Sequence, residues 1–346
     1  MNINKKYSSG WDVGGAHLKA VLLDTQGRVL KAVQVPCALW QGLDKLDQAV
    51  DQVLADIGKA DMRHAVTMTG ELADIFSGRK EGVLSISTMM RQKLGAETLF
   101  YAAEHGMVGC ENVAALNERI ASANWHASAS LVARRILQGV FVDIGSTTAD
   151  IIPFSSGRLR NHGFSDAERM RADELVYTGV VRTPLMAIAQ TIAFRGHRYR
   201  IAAEHFAATA DVYRITGELM ETEDMAPTAD GAAKTCEASM RRLARMIGHD
   251  FEDAEAHDWR ELADAFRAAQ LAILEQALNG VMSREALLPS VPLIGAGAGS
   301  FLVQALAKKL EREYVPAESL IQTGSEAHRR RAALCFPAYA VAARLP

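Results

Sequence analysis

The stretch FVDIGSTTADIIP, Phe141 to Pro153, decides how the rest of the chain is read. An apolar strand runs into Asp143, Gly145 and the hydroxyls of Ser146, Thr147 and Thr148, and the chain then becomes apolar again. Small residues let backbone N–H groups approach an anion, hydroxyls add donors, and the carboxylates of Asp143 and Asp150 can hold a hydrated cation beside it. The pattern predicts a phosphate loop at a β-turn.

A second copy lies upstream. In GWDVGGAHLKAVLLDTQGRVLKAV, Gly10 to Val33, Asp12 precedes Asp143 by 131 positions, and the same offset sets Gly14 on Gly145, Gly15 on Ser146 and Lys19 on Asp150. The turns DTQG and SSG follow at matching distances. Two copies of strand, Asp-x-Gly loop, strand, turn and strand are the trace of a duplicated α/β domain. Lys19 in one copy and Asp150 in the other supply a cation and a carboxylate at equivalent places.

Between the copies, apolar periodicity predicts a helix over Gly42–Ile57, a strand over His64–Thr69, a helix over Glu81–Leu94, a strand over Thr98–Ala102 and a helix over Ala123–Leu137. The His64–Thr69 strand delivers Thr69, Glu71 and Asp74 to the end of a sheet where such folds bind ligands, although a cap and a solvated face would use the same residues. Beyond the second copy, a strand is expected over Leu175–Val181, followed by Arg182-Thr-Pro184. Arg169, Arg171 and Arg182 could grip an anion through paired N–H donors or pair with neighbouring acids. Ala203–Leu219 reads as a helix, the acidic METEDMAPTADGAAKT as a surface insertion or lid, and two further helices as an inserted subdomain. VPLIGAGAGSFLVQALAKKL closes the second copy: a strand, a turn of Gly295, Gly297, Gly299 and Ser300, then a helix whose N-terminus suits an anion. A last helix, Ala327–Ala343, opens on the basic run His328–Arg331, read as a solvated face.

With 346 residues, 49% of them hydrophobic and 23% charged, the chain is an ordinary globular composition of about two domains. A net charge of −3 leaves no footprint for nucleic acid, and no long apolar window or apolar leader supports a membrane span or signal peptide, so a cytoplasmic protein acting on small molecules is expected. The four cysteines form no CxxC pair, which argues against zinc and disulfides.

The three loops in this order resemble the actin, sugar-kinase and heat-shock-ATPase superfamily. That resemblance implies an α/β protein of two duplicated ribonuclease-H-like domains around a central cleft, with a helical insertion in the second. The expected first domain covers residues 1–137, completed by a C-terminal helix at 325–346, and the second covers 138–324 with the insertion at about 204–285. GWDVGGAHLK, MTGELAD, the Ala123-Asn-Trp125 turn, DIGSTTADIIP, ELVYTGVVRTP, AEHFAATADVYRITGEL and APTADGAAKT are similar to hydantoinase/oxoprolinase-related proteins linked to tetrahydromethanopterin-dependent one-carbon metabolism, in the branch that builds methanofuran-type cofactors. Ala172 departs from it, standing where a glycine is expected before Glu174-Leu175.

The resemblance implies transfer of an aminomethylfuranylmethyl group from its diphosphate to the phenol oxygen of a tyramine- or tyrosine-glutamate acceptor. Asp12 and Asp143 would hold Mg2+, the glycines and hydroxyls of the loops would cradle phosphate, Lys19 would neutralise the leaving group, and Arg182 would meet the acceptor or a phosphate. Glu71 and Asp150 are the candidate bases. The complete loops also permit ATP and a kinase, ligase or oxoprolinase-like hydrolase, and a homodimer is compatible with all of these readings.

Overall fold

The computed structural model describes residues 7–58, 61–285, 287–288 and 290–345. These form two compact units: the chain up to Gln138 with Phe154–Glu168 and the chain from Pro316, and Gly139–Pro153 with Arg169–Val315.

The first unit is built on one mixed sheet. Strands β1 (Tyr7–Val13), β2 (His17–Leu23) and β3 (Val29–Pro36) form an antiparallel meander, and after helix α1 (Leu43–Ile57) strand β4 (Met62–Met68) pairs parallel to β1. Helix α2 (Arg79–Leu94) leads to β5 (Leu99–Tyr101) and β6 (Met107–Val108), completing the order β3-β2-β1-β4-β5-β6. The short α3 (Asn117–Ile120) and α4 (Asn124–Ala133) follow. Period-two alternation sorts β1: Trp11 and Val13 enter the core cluster that also holds Val50, Val53, Val83 and Ile86 of α1 and α2. Gly10 and Asp12 face the other way.

The second unit repeats the plan. Strand β7 (Gln138–Ile144) occupies the place of β1 at the 131-residue offset, and β8 (Ala149–Ser155) continues the meander, its end passing into the Phe154–Glu168 segment of the first unit, where β9 (Arg158–Leu159) pairs with it. Short α5 (Asp166–Arg171), whose first residues to Glu168 still belong to the first unit, and β10 (Leu175–Val176) come next, then a hairpin of β11 (Thr191–Phe194) and β12 (His197–Arg200). The insertion comprises α6 (Thr209–Thr216), α7 (Cys236–Met246) and the long α8 (Ala256–Arg284). Strand β13 (Leu293–Ala296) pairs parallel to β7 as β4 does to β1, and α9 (Ser300–Lys309) and β14 (Tyr314–Pro316) finish the sheet, ordered β10-β8-β7-β13-β14. The chain then returns to the first unit as α10 (Glu326–Leu334) and α11 (Phe336–Ala342). There α11 lies on the face of β1 that carries Gly10: a Cβ at Gly10 would stand 1.9 Å from the Ala338 carbonyl oxygen, so only glycine lets the helix come so close.

Three elements differ from expectation. The strand predicted over Leu175–Val181 stops at Val176, because Val180, Val181 and Arg182 give their N–H groups to the Gly145 and Ser146 carbonyls of the second loop. The helix predicted over Ala203–Leu219 begins only at Thr209, where Asp211 Oδ2 accepts from the Ala208 N–H. The helix expected over Ala327–Ala343 is broken at Cys335, with Pro337, which lacks an N–H, in the first turn of α11. Among the described residues no helix is long and apolar enough to cross a membrane.

Candidate functional site

In the first unit, Lys19, Asp12 and Thr67 stand in register on β2, β1 and β4, so their side chains form a row on one face of the sheet. Asp12 is 5% exposed, and neither its Oδ1 nor the buried Thr67 Oγ1 has a hydrogen-bond partner among the described residues. Burial raises the Asp12 pKa above the ordinary carboxylate value, partly offset by the positive charge of Lys19. Cys335 lies in the same field, and burial pushes its thiol up to about 12. A buried carboxylate oxygen without a donor is costly unless something from outside the chain satisfies it.

The loop after β1 is open where a ligand would need it. Gly14 N–H donates to the His17 carbonyl at 3.0 Å, closing the turn, and a Cβ added to Gly15 would meet nothing within 4 Å. At the end of β4, Thr69 N–H donates to the Val13 carbonyl at 2.9 Å, bringing Gly70 and Glu71 beside this loop. Glu71 is 1% exposed; Ser122 Oγ donates to its Oε1 at 2.6 Å, and Oε2 has no partner among the described residues. Burial raises the Glu71 pKa, opposed by the Ser122 hydrogen bond, by its own backbone N–H and by the Arg79 charge, and reinforced by Asp166.

In the second unit three segments meet. Gly145 N–H donates to the Thr148 carbonyl at 2.9 Å, shaping the Gly145–Thr148 loop. Tyr177–Pro184 braces it from behind: Val180 N–H donates to Gly145 O at 3.0 Å and Arg182 N–H to Ser146 O at 2.8 Å. Gly179 presses on the Ser146–Thr147 peptide so closely that a Cβ would sit 2.4 Å from Ser146 C and Thr147 N. Three side chains hold Gly179 and its neighbour in place. Thr183 Oγ1 accepts from its N–H at 2.8 Å, Thr209 Oγ1 and Gln270 Nε2 donate to its carbonyl at 2.9 Å each, and Gln270 Nε2 also donates to Thr178 Oγ1 at 2.9 Å. Tyr213 in turn donates to Gln270 Oε1 at 2.5 Å. The third segment is the glycine turn: Gly297, at φ +78°, would carry a Cβ 2.3 Å from Asp143 Oδ1, and Gly299 N–H donates to the Ile144 carbonyl at 2.8 Å. Asp143 is thus boxed between β7 and the turn that starts α9.

Several expected site residues have other work. Asp150 Oδ1 accepts from Nη2 of the buried Arg169 at 2.6 Å, so the oxygen expected to take a proton is engaged by a guanidinium. Gly295 gives room to the Tyr314 ring rather than to a ligand. The Arg182 side chain is exposed, and its backbone carries the contact with the loop. The acidic insertion is not a free lid at Asp230, Lys234 and Thr235. Asp230 pairs with Arg242 and Arg245, Lys234 pairs with Asp224, and Thr235 caps α7 through the Ala238 N–H. Arg242, fully buried, also binds Asp211, which together with Asp224 takes Arg214. The motifs ATADVYRITGEL and APTADGAAKT therefore build one buried ion network. The residues that sequence reasoning missed are Thr67, Ser122, Gly179 and Gln270. The Thr-Gly dipeptide at Thr178 and the Ala-Asn-Trp turn beside Ser122 were the available signals.

Residues 63–323 match the model of the hydantoinase/oxoprolinase family. The chain belongs to that family. It is 26% identical over 334 residues to the (4-{4-[2-(gamma-L-glutamylamino)ethyl]phenoxymethyl}furan-2-yl)methanamine synthase of Methanocaldococcus jannaschii, covering 96% of each chain. It is 27% identical over 158 residues to the synthase of the same name from Methanococcus vannielii, covering 46% of this chain and 70% of that one. Among solved structures, the nucleotide-free acetone carboxylase, described under ATP-dependent acetone carboxylation, superposes with a TM-score of 0.60 at 11% identity, over 96% of this chain and 69% of the other. With that likeness and the repeated meander plus parallel strand, the fold of this family member is a duplicated ribonuclease-H-like α/β fold with a helical insertion in the second copy.

Proposed function

We propose that the protein is a methanofuran- or methylofuran-type synthase, forming an aryl ether between a furfuryl carbon and a phenol oxygen with loss of diphosphate. The observation that carries this reading is the alignment with the M. jannaschii synthase along 96% of both chains. The name of that relative describes its product, a phenoxymethyl-furan bearing an aminomethyl group and a glutamylamino-ethyl chain. The enzyme would be an alkyl transferase whose acceptor is a phenolic glutamate conjugate.

The chemistry asks for charge neutralisation more than for a nucleophile, because the furan ring stabilises positive charge on the carbon under attack. In the second unit, the Gly145–Thr148 loop with the hydroxyls of Ser146, Thr147 and Thr148, and the N-terminus of α9 at Ser300, are the proposed phosphate holders. In the first, the open backbone at Gly15, on the turn closed by Gly14, and the cation of Lys19 play that part. Asp12 within the first unit and Asp143 within the second are each proposed, in its own unit, as a carboxylate for hydrated Mg2+. The fit rests on the partnerless Asp12 Oδ1 and on donor chemistry: no group of three or more metal-binding side chains gathers among the described residues, and magnesium prefers one or two carboxylates, waters and phosphate oxygens. When bound, the ion would supply charge for the leaving diphosphate.

Incubation of the purified protein with the aminomethylfuran diphosphate and γ-glutamyltyramine tests the reading. Ether and diphosphate formed without ATP support it. Turnover that requires ATP, with release of ADP or phosphate, would instead place the protein with ATP-dependent ligases or oxoprolinase-like hydrolases, a reading open to its family.

A further inference from the structure

We propose that Glu71 is the general base for the phenolic acceptor, acting through Oε2, and that Ser122 is the positioning residue that leaves that oxygen available. The assignment rests on the ether-forming reading above and deepens it. Three observations carry it. First, the two oxygens of one buried carboxylate are in different situations: Oε1 accepts from Ser122 Oγ at 2.6 Å, and Oε2 is buried with no partner among the described residues. Second, the carboxylate is held from several sides. Ser122 has the left-handed φ of +51°, which few residues adopt without a reason, and Gly82 of α2 lies against the Glu71 backbone so closely that a Cβ would fall 2.5 Å from its carbonyl oxygen. Third, the preceding residues abut the first phosphate loop: a Cβ at Gly70 would meet the Val13 and Gly14 carbonyls at 3.2 and 3.3 Å.

The other candidate, Asp150, is committed to Arg169. The charged groups facing Glu71 are Arg79 from α2 and Asp166 from α5, themselves ion-paired at 2.6 Å, so they act on Glu71 largely as a neutral couple. Burial is then left as the main influence, and it moves the carboxylate toward the range where a general base is effective at neutral pH. In the step, the phenol O–H bond breaks and its proton goes to Glu71 Oε2. The oxygen bonds to the furfuryl carbon, and the bond from that carbon to the diphosphate oxygen breaks, diphosphate leaving with the electron pair.

The test compares, at mildly alkaline pH, γ-glutamyltyramine with its ring-nitrated analogue, whose far more acidic phenol is largely ionised there and needs no base. Glu71→Gln should lose about a hundredfold in kcat with the ordinary phenol and recover to within about tenfold of wild type with the nitrated one. Ser122→Ala, which removes the hydrogen bond holding Glu71 ionised, should shift the acidic limb of the kcat/KM pH profile to higher pH. Equal losses by Glu71→Gln on both acceptors, or no loss on either, overturn the assignment of the base. A rate loss in Ser122→Ala with the limb unmoved overturns the positioning role. A wild type that makes no ether from either acceptor overturns the reaction and this assignment with it.

Discussion

Replacing Gly179 by alanine adds one methyl group with no polar atom, at a place where space is fully used. Its Cβ would stand 2.4 Å from Ser146 C and Thr147 N and 2.5 Å from Ser146 O, against a tight contact of 3.4 Å. Something must therefore move by about 1 Å, and a displacement of that size at a binding element costs on the order of a hundredfold in rate. Gly179 cannot retreat easily, because its N–H is tied to Thr183 and its carbonyl to Thr209 and Gln270. The yielding part is then the Gly145–Thr148 loop, which is held from this side by the N–H groups of Val180, Val181 and Arg182. Overpacking should also lower stability by about 1–3 kcal/mol. The expected outcome is a folded variant with a lower unfolding midpoint in urea, about hundredfold lower turnover and weakened product inhibition by diphosphate. A folded Gly179→Ala protein with wild-type turnover and unchanged diphosphate inhibition would refute the view that this segment sets the shape of a phosphate loop.

Other outcomes follow from the same contacts. Gln270→Leu takes the Gln270 partner from Thr178 and Tyr213 and one of the two side-chain donors from the Gly179 carbonyl, which keeps Thr209, and should cost about 2–4 kcal/mol in denaturant unfolding, with turnover falling alongside. Glu71 is raised by burial above its ordinary 4.5, so its contribution to stability is fully present below that pH and is lost as pH rises toward the folded value. Glu71→Gln should therefore be more stable than wild type at neutral pH, with the gap closing in acid; urea unfolding at several pH values checks the sign. Asp12→Asn should follow the same pH pattern, since burial raises Asp12 too, while turnover and its dependence on magnesium are lost. Arg242→Met removes one of the two guanidinium partners of the buried Asp211, which keeps Arg214, and should cost about 1–3 kcal/mol in thermal or urea unfolding. Alkylation of the native protein should mark the exposed Cys236 first and leave Cys37 and Cys335, whose burial pushes the thiols up to about 11 and about 12, unmodified until unfolding.

What the chain announces by itself is whatever local chemistry and short periods encode. The Asp-x-Gly hairpins at Asp12 and Asp143, their 131-residue offset and the glycine turn before α9 all depend on neighbours within a few positions, and the duplicated α/β plan follows from them. Helices α1, α2, α7 and α8 are legible for the same reason, since their apolar stripes recur along one segment. Partner choice across the fold is a different matter. Nothing near Asp150 in sequence says that Arg169 will be folded under it, and nothing near Glu71 says that a left-handed serine 51 positions later will take one of its oxygens and leave the other. Likewise Gly179 looks like any turn glycine until the Ser146–Thr147 peptide is laid against it, and Gln270 looks like a polar residue of a long helix until its amide is found on the Gly179 carbonyl. The sequence alone determined the loops and the plan that carries them. Only the tertiary structure decided which carboxylate is neutralised and which is left with an unshared oxygen, because that depends on burial and on donors brought from distant segments, and neither is a local property of the chain.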